Sequence, residues 1–344
     1  MIVTRRAAVA LIAGIALLGL SCRSAQPGRH CDNEALTRYP ALLVLAPHPD
    51  DETLGFAGLI DAYLRAGKPV QVVVITDGDA YCDACRFWKS GSMNGAMCSA
   101  AELASFAEVR RSESAAAAKI LGAPNPRFLG YPDTGLAAAA RNEPLRRSDF
   151  SACTSCASCG YGAGPAANLS ASTLTASLRE LIAAQPAGAL IATTHWLDGH
   201  PDHAALGNFV RGLSAGHPVA YAVIHAHTKN TNNADCWYPA PAAPLCPCMN
   251  EEAKALADPG WVARNAGGRL RPSLTASLPQ DAEYGEAKQF CVRDVDLKAR
   301  AVRAYASQSG QAGNHPAALD GIVDCSGYLT SFIRRTETFV LIEP

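Results

Sequence analysis

Short apolar runs and stretches of helical periodicity alternate along most of the chain. The runs at 41–46 and 69–76 are almost continuously apolar, which is typical of strands buried on both faces of a parallel sheet. Further strands are predicted at 127–130, 187–194, 219–225 and 337–342. The periodicity predicts helices at 53–66, 101–121, 172–184, 294–307 and 328–334, and another beginning near Pro201. Because strand and helix alternate, we predict an α/β fold with a mostly parallel sheet and helices on both faces.

Cysteine-rich segments interrupt this alternation and are predicted to be insertions, near 79–100, 137–170 and 227–292. The 13 cysteines of the chain include three clusters: Cys82, Cys85 and Cys98; Cys153, Cys156 and Cys159; and Cys236, Cys246 and Cys248. In an oxidising compartment such cysteines form disulfides, whose pairing the sequence does not assign. Their C-x-x-C spacings would also suit a structural zinc site. We predict disulfide-pinned loops within one domain.

The N-terminus has the pattern of an export signal. Arg5 and Arg6 precede an unbroken apolar run at 7–20, which is short for a transmembrane helix of about 20 residues. Residues 18–22, Leu-Gly-Leu-Ser-Cys, resemble a bacterial lipobox, which implies cleavage before Cys22 and lipidation of that cysteine. We expect a signal at 1–21, a linker at 22–40 and one folded domain at 41–344. The protein would be extracytoplasmic, either anchored to a membrane as a lipoprotein or else periplasmic or secreted.

The charge balance argues against one class of function. The chain has 30 Lys and Arg residues against 31 Asp and Glu residues, and its formal net charge is −1 at pH 7. A strongly basic nucleic-acid-binding protein is therefore not expected. Hydrophobic residues make up 49% of the chain, which supplies a sizeable core and is unlike a disordered sequence.

Ionisable residues are concentrated directly after two predicted strands. The segment His48-Pro-Asp-Asp-Glu52 follows the first strand, and the segment 195–203, His-Trp-Leu-Asp-Gly-His-Pro-Asp-His, follows the strand at 187–194. In open α/β sheets, ligands bind outside the carboxyl ends of the strands. One such cluster alone would suit turn and helix-cap residues equally well. Two complementary clusters favour a functional site.

The spacing within each cluster favours metal binding. His48 and Asp51 are three residues apart, as are His200 and His203, so each pair shares one face where a helix begins. Two imidazoles and one carboxylate form a three-ligand set that leaves a position open for water, as in catalytic zinc sites. The same set suits Fe(II), so these residues do not select the metal.

These motifs resemble those of the N-acetylglucosaminyl-phosphatidylinositol de-N-acetylase family, also called PIG-L or LmbE-like. The paired motifs of the family match His48-Pro-Asp-Asp-Glu52 and His200-Pro-Asp-His203. Further segments match in the same order, at 74–78, 110–113, 121–122, 129–133, 305–308 and 332–339. The resemblance spans about 42–341 and implies a Rossmann-like α/β fold and a divalent metal, usually zinc.

The resemblance implies roles for the residues at the start of the first helix and for its partner motif. His48, Asp51 and His203 match the metal ligands of the family. Asp50 matches the general base, which accepts a proton from the attacking water.

Four further residues match family positions around the metal. His200 would stabilise the oxyanion or act as an acid, with Asp202 orienting its ring. Arg110 and Asp133 match positions that resemble substrate-binding ones. For Arg110, a solvent-exposed charge on a helix surface is the alternative.

These features predict an exported hydrolase that depends on Zn²⁺, with Fe²⁺ or another divalent metal as the alternative cofactor. The enzyme would remove the N-acetyl group from an N-acetylated amino sugar or glycoconjugate by attack of metal hydroxide on the amide. One alternative is an amidohydrolase of longer N-acyl groups, and another is a lipid-anchored glycan-binding protein without turnover. The expected partners are the sugar substrate and, through lipidated Cys22, a membrane, but not nucleic acid.

Overall fold

The computed structural model describes residues 31–91, 96–141, 170–225, 228–229, 235–236, 286–309, 329–332 and 336–344. Its main sheet contains β1 (Leu42–Ala46), β2 (Val70–Thr76), β3 (Arg127–Tyr131), β4 (Leu190–Thr194), β5 (Val219–Ala222), β8 (Glu286–Cys291) and β9 (Thr336–Ile342). A separate ladder joins β6 (Thr228–Lys229) and β7 (Asp235–Cys236).

The helices that precede β4 are α1 (Asn33–Thr37), α2 (Asp51–Arg65), α3 (Cys82–Ser90), α4 (Ala100–Leu121), α5 (Gly135–Ala140) and α6 (Ala171–Ala183). Those that follow it are α7 (Pro201–Leu213), α8 (Val295–Val302), α9 (Ala306–Ser309) and a 3₁₀ helix at Leu329–Phe332.

The strand order of the main sheet is β3-β2-β1-β4-β5-β9-β8. The strands from β3 to β5 run parallel, whereas β9 pairs antiparallel with β5 and with β8. Leu42 of β1 is in register with Val70 of β2 on one side and Leu190 of β4 on the other. The chain leaves β1 toward β2 and later returns to β4 on the opposite side of β1. In this topology a crevice opens at the carboxyl ends of β1 and β4.

Side chains of β1 alternate between two apolar cores. Leu43 and Leu45 belong to the core that includes residues of α6 and α7, and Leu42 and Val44 belong to the core that includes residues of α2. Because helices cover both faces, the strand is apolar at every position. The predicted α/β fold with a mostly parallel, doubly covered sheet is confirmed.

The longest helix, α4, begins and ends with defined caps. The Ser99 side chain accepts the N–H of Glu102, and the Glu102 carboxylate accepts the N–H of Ser99 at 2.7 Å, which forms a capping box. Gly122 ends the helix with φ of 75°, a conformation that glycine adopts without strain. This helix carries Arg110 toward the carboxyl end of β1.

Several predicted loops contain regular structure, so their boundaries are corrected. The linker predicted at 22–40 contains α1, and the insertion predicted near 79–100 contains α3. The insertion predicted near 227–292 ends in β8. Packing partners outside each segment explain two of these elements: α3 contributes Phe87 to a small core with Phe106 of α4, and β8 pairs with β9. Periodicity within a short segment does not register such partners.

Three other boundaries differ from the predictions. The helix predicted at 294–307 is divided into α8 and α9, and the helix predicted at 328–334 is a 3₁₀ turn. The strand predicted at 219–225 ends at Ala222. Apolar residues continue beyond the strand because Ile224 is buried in the core after sheet pairing has stopped.

Two disulfides occur among the described residues. Cys85 pairs with Cys98 and links α3 to the start of α4, and Cys31 pairs with Cys291 at the end of β8. Around the second bridge, the N–H of Asp32 donates to the Gln289 carbonyl at 2.7 Å. The described part of the insertions is therefore pinned by disulfides, as predicted.

The predicted signal at 1–21, Cys22 and the cysteines at 153–159 lie outside the described residues. Within the described ranges, no helix has both the length and the apolar character that crossing a membrane requires.

Candidate active site

The two ionisable clusters meet at the carboxyl ends of β1 and β4. His48 lies in the loop between β1 and α2, and α2 begins at Asp51. His200 is the N-cap residue of α7, and His203 lies in the first turn of that helix. Since β1 and β4 are adjacent and parallel, the starts of α2 and α7 converge in the crevice.

Three side-chain atoms from these segments form a tight triangle. Nδ1 of His48 lies 3.1 Å from Oδ2 of Asp51 and 3.2 Å from Nε2 of His203. The third side, from Nε2 of His203 to Oδ2 of Asp51, is 3.1 Å. All three residues are buried. The fold thus brings together the three residues that were predicted to be metal ligands.

The dimensions and donor atoms of the triangle fit a divalent metal. Ligand atoms on a tetrahedron with bonds of about 2.0–2.1 Å lie roughly 3.3 Å apart, close to the separations observed. Two imidazoles and one carboxylate suit zinc or Fe(II), whereas magnesium and calcium prefer oxygen ligands throughout. His200 also has a ligand atom within 4.8 Å of those of His48 and His203. The residues present therefore fit the metal that the motifs predict.

Further carboxylates lie behind the two imidazoles. Nε2 of His48 faces Oδ1 of Asp133 at 3.1 Å and Oδ2 of Asp202 at 3.4 Å. Nδ1 of His203 faces Oδ1 of Asp198 at 3.5 Å. A carboxylate in this position favours a proton on the ring nitrogen that it faces, and so directs the other nitrogen toward a metal.

Neighbouring charges also shift the pKa values of residues in the triangle. Burial lowers the pKa of His203, but Asp51 and Asp198 outweigh burial and raise that pKa to about 9. Burial would raise the pKa of Asp51, but His203 and His48 hold it well below its ordinary value. Asp51 is therefore anionic throughout the physiological pH range, as a metal ligand must be.

Asp202 makes contacts through both its backbone and its carboxylate. Oδ1 of Asp202 accepts the N–H of Ala137 at 2.9 Å, and Oδ2 faces His48. It is the backbone N–H of Asp202 that donates to Nδ1 of His200, at 3.3 Å. The first turn of α7 therefore orients the His200 ring, and the Asp202 carboxylate positions His48.

Asp133 follows β3, and its carboxylate lies beside Nε2 of His48. Its carboxylate accepts the N–H of Thr134 at 2.7 Å and the N–H of Ala80 at 3.2 Å, and it faces His48. These contacts are those of a residue that holds His48 in place. Contact between Asp133 and substrate stays a prediction.

Asp50, the predicted general base, lies beside the triangle at the N-cap of α2. Its backbone has φ of 145° and ψ of −34°, a conformation that residues other than glycine rarely adopt. Oδ2 of Asp50 accepts a hydrogen bond from Nη2 of Arg110 at 3.2 Å. Burial and the neighbouring Asp51 raise the pKa of Asp50 to about 8, against the opposing effect of Arg110. A buried carboxyl with a pKa near neutrality suits proton transfer.

Arg110 is 3% exposed, so the alternative of a surface charge is wrong. Its guanidinium donates to the carbonyls of Gly78 and Pro49 at 2.7 and 2.9 Å, and to Oε1 of Gln308 at 3.0 Å. Gly78 has φ of 63°, and a Cβ at this position would collide with the guanidinium. Arg110 therefore braces the backbone that precedes Asp50 as well as the Asp50 carboxylate.

Three residues at the site were not predicted. Asp198 accepts the N–H groups of Ile224 and His225 at 2.7 and 3.1 Å and faces His203. The His225 ring lies 4.7 Å from that of His203, and Gln308 binds Arg110. The position of Asp198, two residues before His200, could have identified it as a site residue from the sequence. His225 was hidden because the predicted strand extended to it, whereas Gln308 lies in the segment 305–308 that matches the family, which was an available signal.

One family profile covers the residues of this site. The profile of the PIG-L family, described as GlcNAc-PI de-N-acetylase, matches residues 43–214, half of the chain. Among curated protein sequences, none matches the chain.

Several solved structures are similar to this chain at low sequence identity. N,N'-diacetylchitobiose deacetylase from Pyrococcus horikoshii is 15% identical, with a TM-score of 0.45, over 90% of this chain and 86% of that chain. A deacetylase triple mutant from the teicoplanin biosynthetic pathway is 16% identical, with a TM-score of 0.49, over 88% and 98% of the two chains. The 4-carboxy-2-hydroxymuconate hydratase from Pseudomonas putida KT2440 is 17% identical, with a TM-score of 0.44, over 88% and 96%.

The family match extends from β1 to the end of α7. This part of the chain contains the whole metal-ligand triangle, Asp50 and Arg110, and both sequence motifs. On these grounds the chain belongs to the PIG-L, or LmbE-like, family of GlcNAc-PI de-N-acetylases.

Proposed function

We propose that this protein is a deacetylase that uses a divalent metal, zinc in the first instance, to hydrolyse the N-acetyl group of an N-acetylated amino sugar or glycoconjugate. The observation that carries the proposal is the triangle of His48, Asp51 and His203 with Asp50 buried beside it. A protein that only binds a glycan has no use for a strained, buried carboxyl next to a metal site. The family supports the same reaction.

His48, Asp51 and His203 would hold the metal. When bound, such an ion lowers the pKa of a coordinated water from about 15.7 to about 7 and polarises a carbonyl. Asp50 accepts a proton from the attacking water, because its raised pKa lets it take up and release a proton near neutrality. Arg110 holds the Asp50 carboxylate in place during this transfer.

His200 acts as a neutral hydrogen-bond donor. Burial, together with His48 and His203, lowers the pKa of His200 well below its ordinary value. Nδ1 of the neutral ring accepts the Asp202 N–H, so its single proton resides on Nε2. Nε2–H can donate to the oxygen that becomes negative in the tetrahedral intermediate. The leaving amine then takes its proton from protonated Asp50, because a neutral His200 is a poor acid.

We also propose that the reaction takes place outside the cytoplasm, with a lipid anchor at Cys22 and a sugar or glycoconjugate as the partner. The support is the pattern at 1–22 and the resemblance to a lipobox. The two disulfides among the described residues agree with an oxidising compartment. Labelled palmitate incorporation into the full chain, compared with its Cys22→Ser variant, tests the anchor.

The reaction is tested on protein that lacks residues 1–22, stripped with a chelator and reloaded with zinc. Acetate and free amine are measured with a panel of N-acetylated amino sugars and with analogues that carry longer acyl groups. We expect acetate release that requires zinc. Release from longer acyl groups alone would support the amidohydrolase, and no release despite one bound zinc would support the glycan-binding protein.

Two variants assign the roles. Asp50→Asn should retain zinc and lose about 10²–10⁴-fold in turnover, whereas His203→Ala should lose both zinc and turnover. Asp296→Asn, an exposed aspartate at the start of α8, serves as the matched control and should change neither. Near wild-type turnover of Asp50→Asn would refute the assignment of the base.

A further inference from the structure

The backbone of His225 is fixed against the loop that precedes α7. Its N–H donates to Oδ2 of Asp198 at 3.1 Å, and its carbonyl accepts the N–H of Gly199 at 2.5 Å. The other oxygen of Asp198 accepts the N–H of His200 at 2.9 Å. The segment after β5 and the loop that carries His200 are therefore joined into one unit beside the metal triangle.

The imidazole of His225 approaches one edge of that triangle. Its ring centroid lies 4.7 Å from that of His203 and 5.4 Å from that of His200. One ligand atom each from His225, Asp51 and His203 all lie within 4.8 Å of one another. His225 and His48 therefore both lie beside the pair formed by Asp51 and His203. His225 comes from a different part of the chain, shortly after β5.

The deacetylation steps make no use of this histidine. His48, Asp51 and His203 supply three ligands, Asp50 transfers the proton, and His200 faces the reacting oxygen. A set of three ligands leaves a tetrahedral site one ligand short. Ligand atoms of one metal ion lie roughly 3.3 Å apart, so a shift of the His225 ring nitrogen by about 1–2 Å would bring it to ligand distance from Asp51 and His203.

We propose that His225 would be a fourth protein ligand of the divalent metal that His48, Asp51 and His203 would hold. The inference rests on the proposed function, because it requires a metal at the triangle. A set of three imidazoles and one carboxylate retains zinc or cobalt more tightly than a three-ligand set does. His225 would therefore increase metal retention.

The test counts the coordinated imidazoles directly in protein substituted with Co(II). The N–H proton of each histidine bound to paramagnetic Co(II) gives a strongly shifted proton NMR signal that disappears in deuterated water. We expect three such signals in the wild-type protein and two in His225→Ala and in His225→Gln. Zinc affinity, measured by competition with a chromogenic chelator, should fall at least tenfold in both variants.

His217→Ala is the matched control. His217 precedes β5 at the opposite end of the strand from the site, and its Nδ1 contacts the Ala189 carbonyl at 3.2 Å. This variant should keep three shifted signals and wild-type zinc affinity. His48→Ala should lose one shifted signal and most of the zinc affinity.

Two shifted signals in the wild-type protein, with unchanged zinc affinity in both His225 variants, would overturn the inference and leave the proposed function intact. A wild-type protein that binds neither Co(II) nor zinc would overturn both. Because circular dichroism reports folding separately, loss of signal through unfolding of one variant is recognised, and the other variant then decides.

Discussion

At the scale of the residue, Asp50 combines a reactive carboxyl with an unfavourable backbone. A residue other than glycine in such a conformation costs about 1–3 kcal/mol. The surrounding groups maintain it: the Asp50 N–H donates to Oε2 of Glu52 at 3.0 Å, and Arg110 binds the Pro49 carbonyl at 2.9 Å. The strain turns the Asp50 carboxylate toward Arg110 while its neighbour Asp51 faces the histidines.

This strain predicts that Asp50→Gly unfolds less readily than Asp50→Ala. Both variants lose the carboxyl, but only glycine adopts φ of 145° without a steric penalty. We expect Asp50→Gly to be the more stable by about 1 kcal/mol, measured by urea unfolding of the metal-free proteins. Equal stabilities, or a more stable alanine variant, would show that the backbone at this position is not strained.

Glu113 on α4 provides a prediction about pH at the same scale. Burial raises the pKa of Glu113 to about 7, although the N–H and O–H of Ser307 favour its ionised form. Its pKa is therefore higher in the folded protein than in the unfolded chain, and the folded state binds more protons between about pH 4.5 and 7. The free energy of unfolding should decrease across this interval as pH rises, by about 2–3 kcal/mol from this group.

Glu113→Gln removes this titration while it preserves the pairing with Ser307. The amide oxygen accepts the Ser307 N–H, and the amide NH₂ donates to the hydroxyl, as the neutral acid does. Relative to wild type, the variant should gain stability as pH rises from 4.5 to 8 in urea unfolding. Glu108→Gln, at an exposed position on the same helix, is the control. A stability difference that does not vary with pH would contradict the assignment.

At the scale of the element, α2 is held by a buried ion pair at its middle. Nζ of Lys298 on α8 donates to Oε1 of Glu337 at 2.7 Å and to the Leu54 carbonyl at 3.0 Å. The Glu337 carboxylate on β9 accepts the N–H groups of Gly58 and Leu59 at 2.8 and 3.2 Å. The pair therefore ties α2, which supplies the ligand Asp51, to two elements from the end of the chain.

Lys298→Met should destabilise the protein by about 3–5 kcal/mol, because it leaves the Glu337 carboxylate buried without its cation. The double variant Lys298→Met/Glu337→Gln removes the charge as well and should recover part of that loss. Chemical denaturation of the wild-type protein, the two single variants and the double variant measures the coupling. A double variant no more stable than Lys298→Met would show that the charge of Glu337 is not the cause.

At the scale of the whole molecule, the two disulfides close loops of very different length. Cys31 and Cys291 are separated by 260 residues along the sequence, and Cys85 and Cys98 by 13. The longer loop loses more entropy in the unfolded chain when it is closed. It also joins the segment that contains α1 to the edge strand β8, next to the Asp32–Gln289 hydrogen bond.

Replacing Cys31 and Cys291 by serine should therefore lower the free energy of unfolding more than replacing Cys85 and Cys98. Chain entropy alone gives about 5.6 kcal/mol for the long loop and about 3 kcal/mol for the short one. Urea unfolding of the two double-serine variants under non-reducing conditions measures both. The opposite order would mean that local packing around α3 outweighs loop length.

The prediction of the fold and site depended on information that lies within short segments. The apolar run at 42–46 indicates a strand covered on both faces because such a strand has no solvent-facing side. The His48–Asp51 and His200–His203 spacings were informative because each pair needs only one turn of helix to converge. The α/β fold, the PIG-L resemblance and the residues of the metal triangle were therefore accessible from the sequence.

Tertiary structure decided the features that depend on distant segments. Arg110 is a buried brace because α4 packs against the carbonyls before Asp50, and a helical pattern alone equally allows a surface charge. The Asp202 carboxylate positions His48 because β1 and β4 are neighbours, and His225 joins the site because β5 lies beside β4. The sequence by itself determined the local elements and the reactive groups they carry. Sheet order and helix packing determined which of those groups meet, because pairings between distant residues leave no periodic signal in either partner.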